Sequence, residues 1–452
     1  MTVSFIYIVI LIGISIALYY STPKAALRNS LLLSASLFFY YAFEGEKVIM
    51  LLTVILTSFF TGKLLCKNGY KKYIFAGGIL INILLLLTHK YTLAAISNPS
   101  SSLPVGLSFY TFQSIGYIVD IQRKKDKEIY TFIEVATFIA FFPKLLAGPL
   151  ERVDSFVSEL RKKSSYNGKR MFKASKIIIF AFVCKFVFAD NLGYYIDNAF
   201  QNDTTLSSIN IFVTATLFSF QLFFDFYAYS ILAIGIALLY GIKLSVNFNY
   251  PYFSSSFHDF WKRWNITLTS WFRDYIYIPL GGDRVSDIRW ALNVMIVFLI
   301  SGAWHGGAFN YILWGFLHGI LYITERYSCR YLPDYYKENK ILIFSYRCFV
   351  FIALSLLWLI FRIENSDVLI QIFKRLFLFS SWDIHVEMAG WLIFTILCML
   401  TFTKYRIIEK YIFNVKNTPV FILKEIFLIN LLIILLLFFS TSGNGSFIYF
   451  KF

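Results

Sequence analysis

Long apolar runs recur from Phe5 to Phe439, and the polar stretches between them are short. A bilayer hydrocarbon core about 30 Å thick takes roughly 20 apolar residues per helical crossing, so the pattern predicts about ten or eleven transmembrane helices. The expected fold class is all-α: a polytopic membrane bundle with additional re-entrant or amphipathic helices, built as one embedded domain over residues 1–452. The first run, from Phe5 to Tyr20, has no basic residue before it and no small-x-small cleavage site after it. It is therefore expected to be a retained helix, not a removable signal peptide.

The polar stretches orient the bundle. Lys24 and Arg28 follow the first helix, Lys67, Lys71 and Lys72 follow the third, and Arg123, Lys124 and Lys125 follow the segment ending near Asp120. Lysine and arginine concentrate in cytoplasmic loops, so these three loops are expected inside. The loops between them carry Glu44 and Glu46 or the polar run 97–102, which places the N-terminus outside the cytoplasm.

Two segments depart from plain crossings. Residues 131–146 begin and end beside basic stretches, the second holding Arg161, Lys162, Lys163, Lys169 and Arg170, so this segment is expected to dip into the membrane and return. Pro143 and Pro149 interrupt it, and such breaks are tolerated at depth only where protein or water covers the backbone. Residues 253–280 are aromatic and apolar but carry Lys262, Arg263, Arg273 and Asp274. Charges of that kind are expensive in a spanning helix, and amphipathic or re-entrant helices on the cytoplasmic side fit better.

The remaining runs read as ordinary crossings. Residues 171–189 go outward to an acidic loop with Asp190, Asp197 and Asp203, and 211–240 return. Residues 290–302 go outward, Gly306 and Gly307 break the chain, and 309–327 come back to a basic loop. His305 thus falls between two helices, near membrane depth. Helices over 341–361, 390–403 and 421–439 complete the bundle.

Composition agrees: the chain is 58% hydrophobic and 15% charged, with a mean hydropathy of +0.64. The formal charge of +16 does not indicate nucleic acid, because the basic residues are dispersed between apolar helices instead of gathered on a soluble module. The five cysteines stand singly, without the paired spacing of a disulfide framework or a zinc site, and read as packing residues.

Of the five histidines, His89 ends an apolar run beside Lys90, His385 sits next to a predicted external Asp383, and His258 lies in the amphipathic stretch. His305, in SGAWHGGAFN, is different. An ionisable ring at a helix break within the membrane is a functional candidate, although on pattern alone catalysis and a buried structural imidazole both stay open. His318, thirteen residues on, reads as structural on the same grounds. Asp225 and Gln113 interrupt apolar runs, and each either lines a polar cavity or pairs with a neighbouring helix. No Gly-x-Ser-x-Gly elbow, Walker loop, His-Glu-x-x-His or Gly-x-Gly-x-x-Gly is present, which leaves serine hydrolase, ATPase and zincin readings without support. A metal held by His305 and His318 lacks a carboxylate at ligand spacing, and none is expected.

Six blocks carry a resemblance: LPVGLSFYTFQSIGYIVDIQRKK, FFPKLLAGPLERVDSF, FDFYAYSILAIG, NFNYPYFSSSFHDFWKRWNITLTSWFRDYIYIPLGGDR, SGAWHGGAFNYILWGFLHG and the closing FIYFKF. In this order, over nearly the whole chain, they resemble the membrane-bound O-acyltransferases, specifically the bacterial branch with alginate and peptidoglycan O-acetyltransferases. The resemblance implies a central funnel or tunnel, a catalytic core over about residues 103–326, and His305 as the essential histidine. Asn265 stands where the second polar member of the catalytic pair falls, a position held by His in many bacterial relatives. An Asn there can donate a hydrogen bond but cannot shuttle a proton, so base work rests on His305. Trp304, His318, Asp225, Gln113, Arg273 and Trp264 are the candidates for lining the substrate path.

The run from Tyr227 to Leu232, YAYSIL, departs from the Ser-Gly-Tyr-Ser-Asp-Met usual in alginate-type relatives, and the D-alanyl transfer relatives also lack that Asp, whereas IPLGGDR favours the acetyl branch. The resemblance further implies no bound cofactor, an acyl thioester donor with acetyl-CoA first, a glycan acceptor outside, and a separate extracytoplasmic partner protein. The expected setting is the bacterial cytoplasmic membrane. Two rivals remain: D-alanyl transfer from a carrier protein to teichoic acid, and a non-enzymatic transporter using His305 and Asp225 as a proton relay.

Overall fold

A computed structural model describes residues 5–67, 71–92, 104–124, 130–162, 164–202, 206–331, 339–378, 386–404, 411–414 and 419–440. The run 97–102, Lys125, Lys163, Asp203, Asp383, His385 and the closing FIYFKF lie outside the described residues. Among the described residues every regular element is helical. Six apolar stretches among the described residues are long enough to cross a bilayer: Ala25–Cys66, Lys71–Tyr91, Ser208–Leu239, Asp287–His305, Lys340–Arg362 and Ile422–Phe439. The chain folds as an all-α, multi-pass membrane protein, in two compact units.

The first unit comprises Met1–Ile178 and Ser230–Val246. It begins with α1 (Phe5–Ser21), α2 (Ala25–Glu44), α3 (Val48–Cys66), α4 (Lys71–Leu87) and α5 (Leu107–Arg123). The segment expected to dip and return is α6 (Phe132–Ala140) followed by the single turn α7 (Phe142–Leu145). Nine helical residues rise only about 14 Å, far less than a crossing needs. Thr131 and Glu134 start α6 with a reciprocal capping box, the side chain of each bonding the other's backbone N–H. Lys144 on α7 is fully buried. Its ammonium donates to the Phe138 carbonyl at 2.6 Å and to Gln113 Oε1, and lies over the Phe138 and Phe156 rings at 4.7 and 4.8 Å. The buried ammonium thus has two oxygen acceptors and two aromatic faces. Helices α8 (Val153–Arg161) and α9 (Gly168–Phe182) follow.

The second unit comprises Ile179–Tyr229 and Asn247–Phe452. The acidic loop expected after residue 189 is helical instead: a wide π turn over Val183–Ala189 runs directly into α10 (Asp190–Asn202). The reason is Lys185, whose ammonium reaches Asp190 at 2.8 Å, five residues on, and Asp225 at 2.7 Å on α11 (Ser208–Leu239). The π turn brings residues five apart onto one side, and a lysine inside an apolar run has no inexpensive alternative to such pairing. The amphipathic stretch is two short helices, α12 (Phe257–Arg263) and α13 (Ile266–Phe272), closed by a π turn over Arg273–Tyr277.

Helices α14 (Asp287–His305) and α15 (Phe309–Tyr331) form the hairpin read from the glycine break, with His305 as the last residue of α14. They touch backbone to backbone. A Cβ on Gly302 would lie 2.4 Å from the Tyr311 carbonyl oxygen, and one on Gly315 would lie 2.4 Å from that of Phe298. Small residues permit this approach in the way familiar from membrane helix pairs. Leu292, Ile296 and Ile300 form an exposed apolar stripe on α14, while Trp290, Val294, Phe298, Ser301 and His305 form a buried one. The unit closes with α16 (Lys340–Arg362), α17 (Ser366–Leu378), α18 (Val386–Lys404) and α19 (Pro419–Phe439). Of these, α17 was not foreseen, being amphipathic and too short for a crossing.

Candidate functional site

The second unit holds a cavity of about 1050 Å³. Its inner wall is buried and largely apolar, with Leu268, Phe272, Trp290, Val294 and Phe298. Its mouth is charged, formed by the exposed His258, Lys262, Arg273 and Asp283 together with Arg326. Partial burial and then the Lys262 ammonium hold the His258 imidazole below its ordinary value. The positive charge of the mouth at neutral pH is thus carried by Lys262, Arg273 and Arg326. Arg326 is anchored over the Trp290 ring at 3.9 Å and donates to Asp283 at 2.9 Å, and Arg273 is paired with Asp274 at 2.7 Å. Glu325 accepts from the Phe257 and His258 backbone N–H groups at 2.9 and 3.0 Å and from the Tyr346 hydroxyl at 2.6 Å. It caps α12, satisfying donors that a helix start leaves free, and so fixes the short helix against α15.

Asn265 lines this cavity and is 2% exposed. It sits between α12 and α13 with φ +42, in the left-handed region that Asn tolerates better than most side chains. Backbone bonds on both sides hold the turn: Ile266 N–H donates to the Asn247 carbonyl at 2.9 Å, and Asn249 N–H donates to the Arg263 carbonyl at 3.0 Å. Asn265 Oδ1 makes no hydrogen bond among the described residues. The cavity therefore presents a buried amide oxygen with spare accepting capacity on a rigid turn. Buried polar groups are seldom left so.

His305 is 5% exposed. Its ring is caged by Trp304, Phe361, Trp314 and Tyr311, with centroids at 4.3, 4.8, 5.4 and 6.4 Å. It is not itself a lining residue of the cavity, but Trp290, Val294, Phe298 and Ser301 are. His305 is the next position on that same face of α14, one turn beyond Ser301. His318 is 1% exposed and lies behind the cavity wall, 5.1 Å from the Trp261 ring and stacked on Phe298 at 5.9 Å. Neither of its ring nitrogens has a hydrogen-bond partner among the described residues. The Trp314 indole separates the two histidines, 4.7 Å from His318.

The other candidates scatter. Arg273 is at the cavity mouth, while Trp264 is 1% exposed in an aromatic cluster with Phe248, Phe260 and Trp358 and is not among the lining residues. Asp225 is paired with Lys185, and Gln113 accepts from Lys144 in the first unit. His89 bonds the Leu85 carbonyl at 3.0 Å. Sequence reasoning missed Glu325, Lys185 and Lys144. Each is a charge in or beside an apolar run, and that is the signal by which they could have been found.

A family model described as MBOAT, membrane-bound O-acyltransferase family, matches residues 120–360. The peptidoglycan O-acetyltransferase of Helicobacter pylori is 33% identical over 384 residues, covering 76% of this chain and 72% of the relative. The probable alginate O-acetylase AlgI of Pseudomonas aeruginosa is 31% identical over 402 residues, covering 84% and 75%. The teichoic acid D-alanyltransferase of Bacillus subtilis is 31% identical over a shorter 271 residues, covering 55% and 67%.

Proposed function

Because the chain belongs to the membrane-bound O-acyltransferase family, we propose that it moves an acetyl group from a cytoplasmic thioester, acetyl-CoA first, onto a hydroxyl of an extracytoplasmic glycan. The enzyme is an O-acyltransferase, which displaces the non-enzymatic transporter reading. What supports the finer assignment is the buried face of α14, which forms one wall of the cavity and ends, one turn further, in His305. A donor entering from the charged mouth keeps its anionic part against Lys262, Arg273 and Arg326 and points its thioester inward along that face.

In this reading a neutral His305 accepts the proton of the attacking hydroxyl. The new C–O bond forms as the C–S bond of the thioester breaks, and the proton ends on the departing sulfur. Asn265, held on a fixed turn, donates an Nδ2–H hydrogen bond to the carbonyl oxygen as negative charge develops there. The glycan is alginate-like or peptidoglycan, and a separate protein outside completes delivery. D-alanyl transfer to teichoic acid is the second reading, favoured by the Bacillus relative and by Ile231 in place of the usual Asp. Assaying acetate and alanine on the wall and exopolysaccharide of a deletion strain separates them: lost alanine with unchanged acetate overturns the acetyl reading.

Asn265 gives a sharper test of the oxyanion contact. Removing one such donor lowers turnover by about 10- to 1000-fold, and that is the expectation for Asn265→Ala. Since alanine is also strained at positive φ by about 1–2 kcal/mol, Asn265→Gly is the control. It relaxes the backbone, deletes the amide and should be equally slow. A glycine variant with normal turnover would leave Asn265 a purely conformational residue.

A further inference from the structure

We propose that a second pocket in the same unit, at the His305 end of α14, holds one sugar ring of the acceptor; this rests on the acyl-transfer reading above. The pocket has a volume of about 250 Å³, and its lining includes Phe200, Arg362, Glu364, Asn365, Gln371 and Arg375. It falls below the roughly 300–1000 Å³ typical of sites for drug-sized molecules. A coenzyme or a long acyl chain is too large for it, while a single sugar ring matches its size: the ring carbons meet the apolar part of the wall, which includes Leu206, Ile211 and Val368, and the hydroxyls meet the polar residues among them.

Three observations assign it to the acceptor. The first is position. Residues 287 to 305 rise about 27 Å along α14; the charged mouth of the large cavity lies by the Asp287 end, and this pocket lies by Phe361 and Arg362, at the His305 end. The second is connection. Glu364 accepts from the Tyr311 hydroxyl at 2.9 Å, and the Tyr311 ring packs on Gly306, where a Cβ would meet it at 2.6 Å, beside the His305 ring. A pocket carboxylate thus bonds directly to a residue of the His305 cage.

The third is polar donor capacity left over at the pocket. Residues 362–378 follow a helix expected to run outward, a position where topology alone calls for no lysine or arginine. Arg362 is occupied by Asp197 and by the Phe200 and Phe218 rings. Arg375 and Gln371, one turn apart on α17, make no side-chain hydrogen bond or ion pair among the described residues. Planar donor groups of this kind, facing a carboxylate and one aromatic edge, can bond adjacent sugar hydroxyls while the ring carbons rest on Phe200.

The test is direct binding to the full-length protein in detergent, read by saturation-transfer NMR with a mannuronate disaccharide and with the N-acetylglucosamine–N-acetylmuramic acid disaccharide. At least one should bind to the wild type and equally to His305→Ala, and Gln371→Ala with Arg375→Ala should weaken that binding tenfold or more without lowering the melting temperature. Neither disaccharide binding, or inorganic phosphate competing as well as the sugar, overturns the proposal. If binding is absent while His305→Ala still abolishes glycan acetylation, the pocket assignment fails and the transfer reading stands. If binding behaves as expected while His305→Ala retains acetylation, the transfer reading fails and the pocket remains a sugar site.

Discussion

Replacing His305 by alanine is expected to abolish O-acetylation of the cell's glycan while the protein keeps its place and abundance in the membrane. General-base removal accounts for about 10²- to 10⁴-fold in rate, enough to take glycan acetylation below detection. The ring stands at the last residue of α14 and faces four aromatic side chains, so its loss removes packing as well as chemistry. His305→Gln separates the two, since the amide fills most of the volume and does not titrate near neutral pH. Both variants should be inactive, and the glutamine variant should melt close to the wild type. The measurement is acetate released from purified wall and exopolysaccharide by mild alkali, set against protein level by immunoblot. A glutamine variant with more than a tenth of normal acetate would remove His305 from the proton-transfer step.

How far such a site is legible in a sequence depends on whether its parts are local. The α14–α15 hairpin was, because apolar runs of crossing length flank Gly306 and Gly307, and nothing else in the chain combines a histidine with such a break. The short helices α12 and α13 were legible for the converse reason, since Lys262, Arg263 and Arg273 forbid a plain span. Asn265 could be singled out by resemblance, but its left-handed backbone could not. That conformation is imposed by the bond that Ile266 N–H gives the Asn247 carbonyl and the bond that Asn249 N–H gives the Arg263 carbonyl, partners that only the folded chain brings alongside. The cap on α12 comes from Glu325, 68 residues from the N–H of Phe257 that it satisfies, and no local signal announces it. The acidic loop was misread because the pairing of Lys185 with Asp190 needs a π turn, and the usual α-helical spacings of three and four do not look for a partner at five.

That same triad carries the second large effect. Lys185→Ala is expected to leave little folded protein in the membrane. Lys185, Asp190 and Asp225 have side chains only 5%, 8% and 2% exposed, with one ammonium against two carboxylates. Removing one partner of a buried ion pair costs about 3–5 kcal/mol, which is a large part of the 5–15 kcal/mol that typically holds a domain together. Here the loss leaves two acids facing each other. Because the penalty arises from uncompensated charge, removing all of it together should relieve most of the damage: Lys185→Met combined with Asp190→Asn and Asp225→Asn is expected to recover abundance and melting temperature, measured by fluorescence-detected size exclusion after heating. A Lys185→Ala protein that accumulates and melts like the wild type would show that the pairing does not hold α10 and α11 together. A triple variant that folds and acetylates normally would place Asp225, a cavity candidate by sequence, wholly on the structural side. Should the triple variant fold but fail to acetylate, the triad would join His305 as part of the machinery, because stability would by then have been separated from turnover.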